Sequence, residues 1–234
     1  MTAKQNPLRL KMGRKSKVER ESRPLPLEVP TDPDEIARRE ARNGLRQFDA
    51  VNKIIDDALQ SNGSFTLRPS TALELNRVAL DGINQYAGIY RPHLIEIGGS
   101  EHIPPLPKDI PGLVEEMCDY VNQNWDRSPI HLAAYIMWRV NWVHPFSDGN
   151  GRTSRALSYA VLCIRLGYKL PGTQTIPAQI ATDKSPYYGA LEAADQAYEN
   201  ERIDVSALET LLGDKLVEQL VRVHQDATAP LSDG

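Results

Sequence analysis

The sequence predicts an all-α fold, a single helical bundle broken once by a short non-helical excursion. Three observations carry this. Apolar residues recur at three- and four-residue spacing through most of the chain. Helix-opening signals stand ahead of those runs, among them Asp32-Pro33, Pro69-Ser70, Ser128-Pro129 and Ser185-Pro186. Only residues 89–105 change period: Leu94, Ile95 and Ile97 favour a strand, and Gly98-Gly99-Ser100 is turn chemistry. A length of 234 residues and a hydrophobic content of 41% suit one sizeable domain with a core of its own.

Residues 1–30 read as a disordered basic tail. Lys4, Arg9, Lys11, Arg14, Lys15, Lys17, Arg20 and Arg23 make it cationic, prolines break it, and it has too little apolar surface to offset the entropy of ordering. The folded domain is expected over 31–226, with 227–234 a frayed C-terminus. Its first helix opens at Asp32-Pro33, with Glu35 placed for a capping box, and runs to about Leu59 before Asn62-Gly63. The apolar stripe of that helix contains Leu45, Phe48, Val51, Ile54, Ile55 and Leu59. A second helix follows Pro69-Ser70 and stops before Gly88. Residues 89–105 are read from periodicity as either a short hairpin or an irregular loop. Asp109 to Trp125 is helical. Ser128-Pro129 opens a helix that is apolar nearly all round from Leu132 to Val143, hence central and buried. Another helix runs from about Asn150 to Leu166 and ends at Gly167. Leu170 to Thr182 is a loop or broken segment. Ser185-Pro186 opens the next helix, and Asp204 caps the last, which carries Val205, Leu208, Leu212, Leu216 and Leu220.

Composition excludes several classes. A net charge of -4 argues against a dedicated nucleic-acid binder. No apolar run reaches the length of a membrane span, and the basic N-terminus lacks the apolar core of a signal peptide. Cys118 and Cys163, in apolar helical surroundings, read as core residues in a reducing, cytoplasmic compartment. His93 and His102 lack a nearby third ligand for zinc.

The chemistry concentrates between two apolar runs, Ile136 to Val143 and Ala156 to Leu166, in His144-Pro145-Phe146-Ser147-Asp148-Gly149-Asn150-Gly151-Arg152-Thr153-Ser154-Arg155. Gly149 and Gly151 accept positive φ and close backbone approach, and Asn150 tolerates left-handed geometry. Successive N–H groups in such a turn, at the start of a helix, form an anion nest. Arg152 and Arg155, three apart, share a helix face and read as a polyphosphate clamp. Asp148 is a hard oxygen ligand suited to Mg²⁺. His144 can take a proton from an attacking hydroxyl. Chemistry alone thus points to a nucleotide-phosphate site with a general base.

The same run resembles the Fic family motif, His-x-Phe-x-Asp/Glu-Gly-Asn-Gly-Arg-x-x-Arg, at every specified position. The resemblance implies a helical bundle with a small β-hairpin flap over the nucleotide, ending in a His-x-Pro-Pro run like His102-Ile103-Pro104-Pro105. It implies an adenylyltransferase that moves AMP from ATP to a Ser, Thr or Tyr hydroxyl of a target protein held along the flap edge. His144 would then be the base and Asp148 would hold Mg²⁺. Gly149, Asn150 and Gly151 would cradle phosphates, with Arg152, Thr153, Ser154 and Arg155 on the helix that carries the clamp. Ser100, Glu101 and His102 are the implied flap contacts. Tyr187 and Tyr188 occupy the place of a paired tyrosine that lies beside adenosine in the family, and Asp195 stands where the family often has Asn. The family's inhibitory Ser/Thr-x-x-x-Glu-Gly/Asn helix has no full match: Thr31 and Glu35 are followed by Ile36, and Glu199-Asn200 is preceded by Asp195. Two rival readings remain, phosphoryl transfer on the same fold, whose Doc branch carries lysine at the place of Gly151, and a nucleotide-sensing module. The sequence leaves room for a homodimer.

Overall fold

In the computed structural model, which describes residues 29–61 and 65–228, those residues form eight α-helices. They are α1 (Pro33–Gln60), α2 (Pro69–Leu80), α3 (Ile110–Gln123), α4 (Pro129–Val143), α5 (Asn150–Leu166), α6 (Ile176–Thr182), α7 (Ser185–Tyr198) and α8 (Ser206–Thr228). Pro107–Asp109 adds one 3₁₀ turn ahead of α3. No helix among the described residues is long and apolar enough to cross a membrane.

The middle of the molecule is the α4–α5 pair. Ser128 accepts the His131 N–H at 3.0 Å and Pro129 fills the first helical position, where its missing N–H is harmless. From Leu132 to Val140 every residue of α4 is buried, Arg139 included. The same holds in α5 from Thr153 to Cys163. Gly167 ends α5 in a left-handed conformation, φ 81°, and its N–H closes the Cys163 and Ile164 carbonyls. Helices α1 and α2 pack on α5; α3, α7 and α8 pack on α4; α6 bridges α5 and α8. Both free cysteines are buried. The arrangement suspends the 144–149 loop between the two best-anchored helices.

Several elements depart from expectation for physical reasons. Helix α1 starts as expected, with Asp32 accepting the Asp34 N–H, but Glu35 pairs with Arg39 instead of closing a capping box. Its buried line is Asn43, Gln47, Val51, Ile55 and Ala58, while Leu45 and Phe48 face solvent at 70% and 47% exposure. The rotation follows from two amides. Asn43 Nδ2 donates to the Asp81 carbonyl at 2.8 Å and Gln47 Nε2 to the Leu75 carbonyl at 3.0 Å, so α1 satisfies carbonyls of α2 and its end.

The segment expected as a hairpin turns at Ile97–Ser100, where the Ser100 N–H reaches the Ile97 carbonyl at 3.2 Å. No strand forms among the described residues. Pro104 and Pro105 bring no N–H to a ladder, and a lone two-stranded ribbon is marginal in water. The broken segment before Asp183 contains the short helix α6, with Pro177 in its first turn. Helix α8 continues to Thr228, two residues past the expected fray. The basic tail falls almost wholly outside the described residues.

Candidate active site at the α4–α5 junction

His144 terminates α4 in the left-handed region, φ 48° and ψ 57°, with its N–H on the Val140 carbonyl. A non-glycine residue there is strained and needs support. Its Nδ1 lies 3.2 Å from the Asn141 carbonyl. A carbonyl can only accept, so this contact puts the ring proton on Nδ1 and leaves Nε2 as the basic nitrogen. Burial pulls the imidazole pKa down to about 4, against a smaller opposing pull from the Asn141 carbonyl. At neutral pH the ring is therefore an uncharged base.

The loop after it is closed by one side chain. Asn150 Oδ1 accepts the Phe146 N–H at 2.9 Å and its Nδ2 donates to the Phe146 carbonyl at 2.8 Å. Asn150 itself is helical, so the left-handed positions are His144 and Gly149 (φ 76°). A Cβ on Gly149 would sit 3.1 Å from Asn76 Nδ2 and 3.2 Å from Leu80 Cδ1, so both its conformation and its surroundings require glycine. Gly151 lies inside α5, where a Cβ would sit 3.2 Å from the Arg155 guanidinium, so its absence leaves that group room. No side chain caps the N-terminus of α5. Its first-turn N–H groups and dipole present partial positive charge where an anion can bind.

Charge surrounds that helix end. Asp148 accepts the Gly149 N–H at 2.5 Å through Oδ1, and its Oδ2 lies 3.4 Å from Arg152. Arg152 also meets Glu40 of α1 at 3.1 Å. Arg155 is 8% exposed and burial lowers its pKa. Among the described residues no carboxylate pairs with it.

Other residues grouped with the ligand contacts from sequence are placed behind the surface. Thr153 and Ser154 are fully buried. Thr153 Oγ1 accepts from Asn76 Nδ2 at 3.3 Å, and Ser154 Oγ donates to the Gly151 carbonyl at 3.1 Å. Tyr187 is 1% exposed, with its hydroxyl 2.6 Å from Asn141 Nδ2 and 3.1 Å from Ser154 Oγ. Tyr188, at 52% exposure, is the member of the pair that presents its ring. Asp195 accepts from the Trp138 indole at 2.8 Å, and burial raises its pKa. On the flap, His102 Nε2 hydrogen-bonds the Trp142 carbonyl at 2.7 Å, while Ser100 Oγ accepts the His102 N–H at 3.2 Å and Glu101 is exposed. His93 turns elsewhere, to Ser147 at 3.4 Å, so the two flap histidines do not converge.

Three residues with no motif signal complete the site. Arg91 donates to the His144 carbonyl at 2.8 Å. Asn76 of α2 donates to the Asp148 carbonyl at 3.0 Å and accepts the Gly88 N–H at 2.9 Å. Glu40 reaches Arg152 from α1. For Asn76 a signal existed, an amide among the apolar Leu73, Leu75, Val78 and Ala79.

Comparison with known proteins agrees with this geometry. Residues 66–162 match the Fic/DOC family. The protein adenylyltransferase Fic of Drosophila willistoni is 32% identical over 157 residues, which are 66% of this chain and 29% of that protein. The Drosophila mojavensis relative of the same name is 33% identical over the same shares. The chain therefore spans under a third of the length of these relatives. Among solved structures, a Fic-domain signalling protein from Bacteroides thetaiotaomicron superposes with a TM-score of 0.68 at 22% identity, covering 85% of this chain and 76% of that one. Fic-1 from C. elegans gives 0.61 at 20% identity, covering 85% and 56%. The complete motif, seated at the junction of the two buried helices, lies within the segment that matches the Fic/DOC family, residues 66–162.

Proposed function

We propose that this protein transfers AMP from ATP to a Ser, Thr or Tyr hydroxyl of a target protein. The observation that carries the reading is the uncapped N-terminus of α5, set beside an uncharged histidine and two arginines. The most negative part of ATP, its β/γ end, belongs at the helix end with Arg152 and Arg155. The α-phosphate then faces His144. The target hydroxyl attacks the α-phosphorus, its proton passes to His144 Nε2, the bond to the bridging α–β oxygen breaks, and pyrophosphate leaves. Gly149 lets the loop close against Asn76 and Leu80, Gly151 leaves room for the Arg155 guanidinium, and Asn150 holds the loop in shape. The name shared by the Drosophila relatives supports the same activity.

Asp148 fits a Mg²⁺ ion bound jointly with phosphate. It is a single half-exposed carboxylate, and no group of three or more His, Cys, Asp or Glu among the described residues forms a closed protein cage. When bound, Mg²⁺ would neutralise charge on the α- and β-phosphates. For the target, the flap exposes the apolar side chains of Leu94 and Ile103 at 69% and 86%, beside which an extended segment would lie. Tyr188 and Glu101 are the exposed residues that would border the nucleotide. The buried free cysteines suit a cytoplasmic setting.

The test incubates purified protein and Mg²⁺ with ATP labelled at the α- or the γ-phosphate, with and without cell lysate. Label entering protein from the α position alone is expected. Label from the γ position alone would make this a kinase, and label from neither would leave a nucleotide-sensing module.

A further inference from the structure

Arg91 is 1% exposed, yet among the described residues no carboxylate pairs with it. Its partners are carbonyls. Nε donates to His144 at 2.8 Å, one terminal nitrogen to His93 at 2.9 Å, and the other to Pro105 at 2.6 Å. Its backbone N–H donates to the Pro145 carbonyl at 2.9 Å. A buried charge without a counterion is unfavourable unless dipoles replace the lost water. Here the C-terminal end of α4 supplies them, since His144 is its cap and a helix C-terminus carries partial negative charge. One planar fork therefore joins three things: the entry of the flap at His93, its exit at Pro105, and the carbonyl of the catalytic histidine.

His144 needs that grip. Its φ of 48° is strained for a residue with a Cβ, and Arg91 holds both its own carbonyl and the next one, at Pro145. Release of either would let the peptide rotate and carry the imidazole with it. We propose that Arg91 is a positioning residue that couples the flap to His144, so that a target seated on the flap fixes the base through one guanidinium. The inference rests on the AMP-transfer reading for its consequence and on these four hydrogen bonds for its geometry.

The test compares the wild-type 234-residue chain, Arg91→Lys, Arg91→Ala and His144→Ala. Lysine keeps the charge but presents a point donor that cannot span three carbonyls. Both Arg91 variants should lose about 100-fold in kcat and raise KM for the protein target, with ATP affinity by calorimetry within about threefold of wild type. Low-millimolar guanidinium should restore about tenfold of the rate to Arg91→Ala and none to His144→Ala. Should Arg91→Ala fail to fold, Arg91→Lys decides alone. Wild-type kcat in Arg91→Lys, or ATP affinity falling in step with kcat, would reduce Arg91 to a loop staple and overturn the proposal. Ring ¹⁵N–¹H correlations of His144 read its position without any transfer. A single Nδ1–H tautomer in wild type that averages in Arg91→Lys supports the coupling, and an unchanged tautomer refutes it. That spectrum still decides the matter if wild type moves no α-label, which would strike the AMP-transfer reading instead.

Discussion

The burial of His144 moves its pH dependence well below that of an exposed histidine. A base with a pKa of about 4 is already unprotonated well below neutrality. In the free enzyme, kcat/KM for transfer should therefore stay level from about pH 8 to about pH 5 and fall only as the ring protonates. The folding linkage has the matching sign. The folded pKa lies below the ordinary 6.5, so the unfolded chain binds that proton more readily. The full contribution to stability stands above 6.5 and is lost progressively as pH falls toward 4. Replacing His144 with Ala should cut transfer by about 10²-fold or more while ATP binding stays within a few-fold. A rate profile with its midpoint near the ordinary histidine value would remove the burial argument. The gathering of His144, Asp148, Arg152 and Arg155 at one loop and helix start was readable because they lie within one short run. The inward turn of Thr153 and Ser154 was not, because motif spacing carries no information on which side of α5 meets α2 and α7. Arg91 was invisible for a different reason: it acts on carbonyls, and every residue has one.

Helix α1 shows how an amphipathic pattern is rotated by hydrogen bonds. Val51 and Ile55 are buried as their spacing requires, yet Asn43 and Gln47 extend the buried line where Leu45 and Phe48 were expected. Inverting the usual ranking, Asn43→Ala should destabilise the fold by about 1–3 kcal/mol, since it orphans carbonyls at the end of α2. Leu45→Ser should change stability by no more than about 0.5 kcal/mol. Urea titrations of the two variants check this, and equal midpoints would contradict it. The seven helices expected before α6 and after it open where apolar period and capping signals placed them, because both signals are local, although α2 ends at Leu80 and not just before Gly88. The flap was legible as an excursion but not as to ladder formation, which depends on pairing that Pro104 and Pro105 cannot supply.

At the scale of the molecule, α1 and α2 wrap the site from outside and bring one charge to it, Glu40 on Arg152. The two side chains are 45% and 31% exposed, and a pair so wetted is worth about 0.2–1 kcal/mol. It should yield to phosphate. Glu40→Gly is expected to tighten ATP binding by about fivefold at most. Glu35, engaged with Arg39, and Glu199, exposed at the end of α7, should give no activation as glycine variants. Label transfer by purified Glu35→Gly, Glu40→Gly and Glu199→Gly measures this, and strong activation by any of the three would reveal a built-in brake. The bundle architecture was recoverable from sequence because α4 is apolar on nearly every side, which leaves the interior as its only stable place. The contact of Glu40 with Arg152 was not, since it spans more than a hundred residues of chain and depends on how α1 docks.

Asn150 spends its whole side chain on Phe146, taking that residue's N–H and giving to its carbonyl. The cradle is thus built to final shape by the polypeptide alone, as a casting mould is finished before the metal is poured. Under the proposed function, ATP would meet N–H groups already aimed, so encounter by diffusion, not rearrangement of the loop, should limit how fast the nucleotide goes on. The Phe146 amide proton would show this in solvent exchange, remaining among the slow ones before any nucleotide is added.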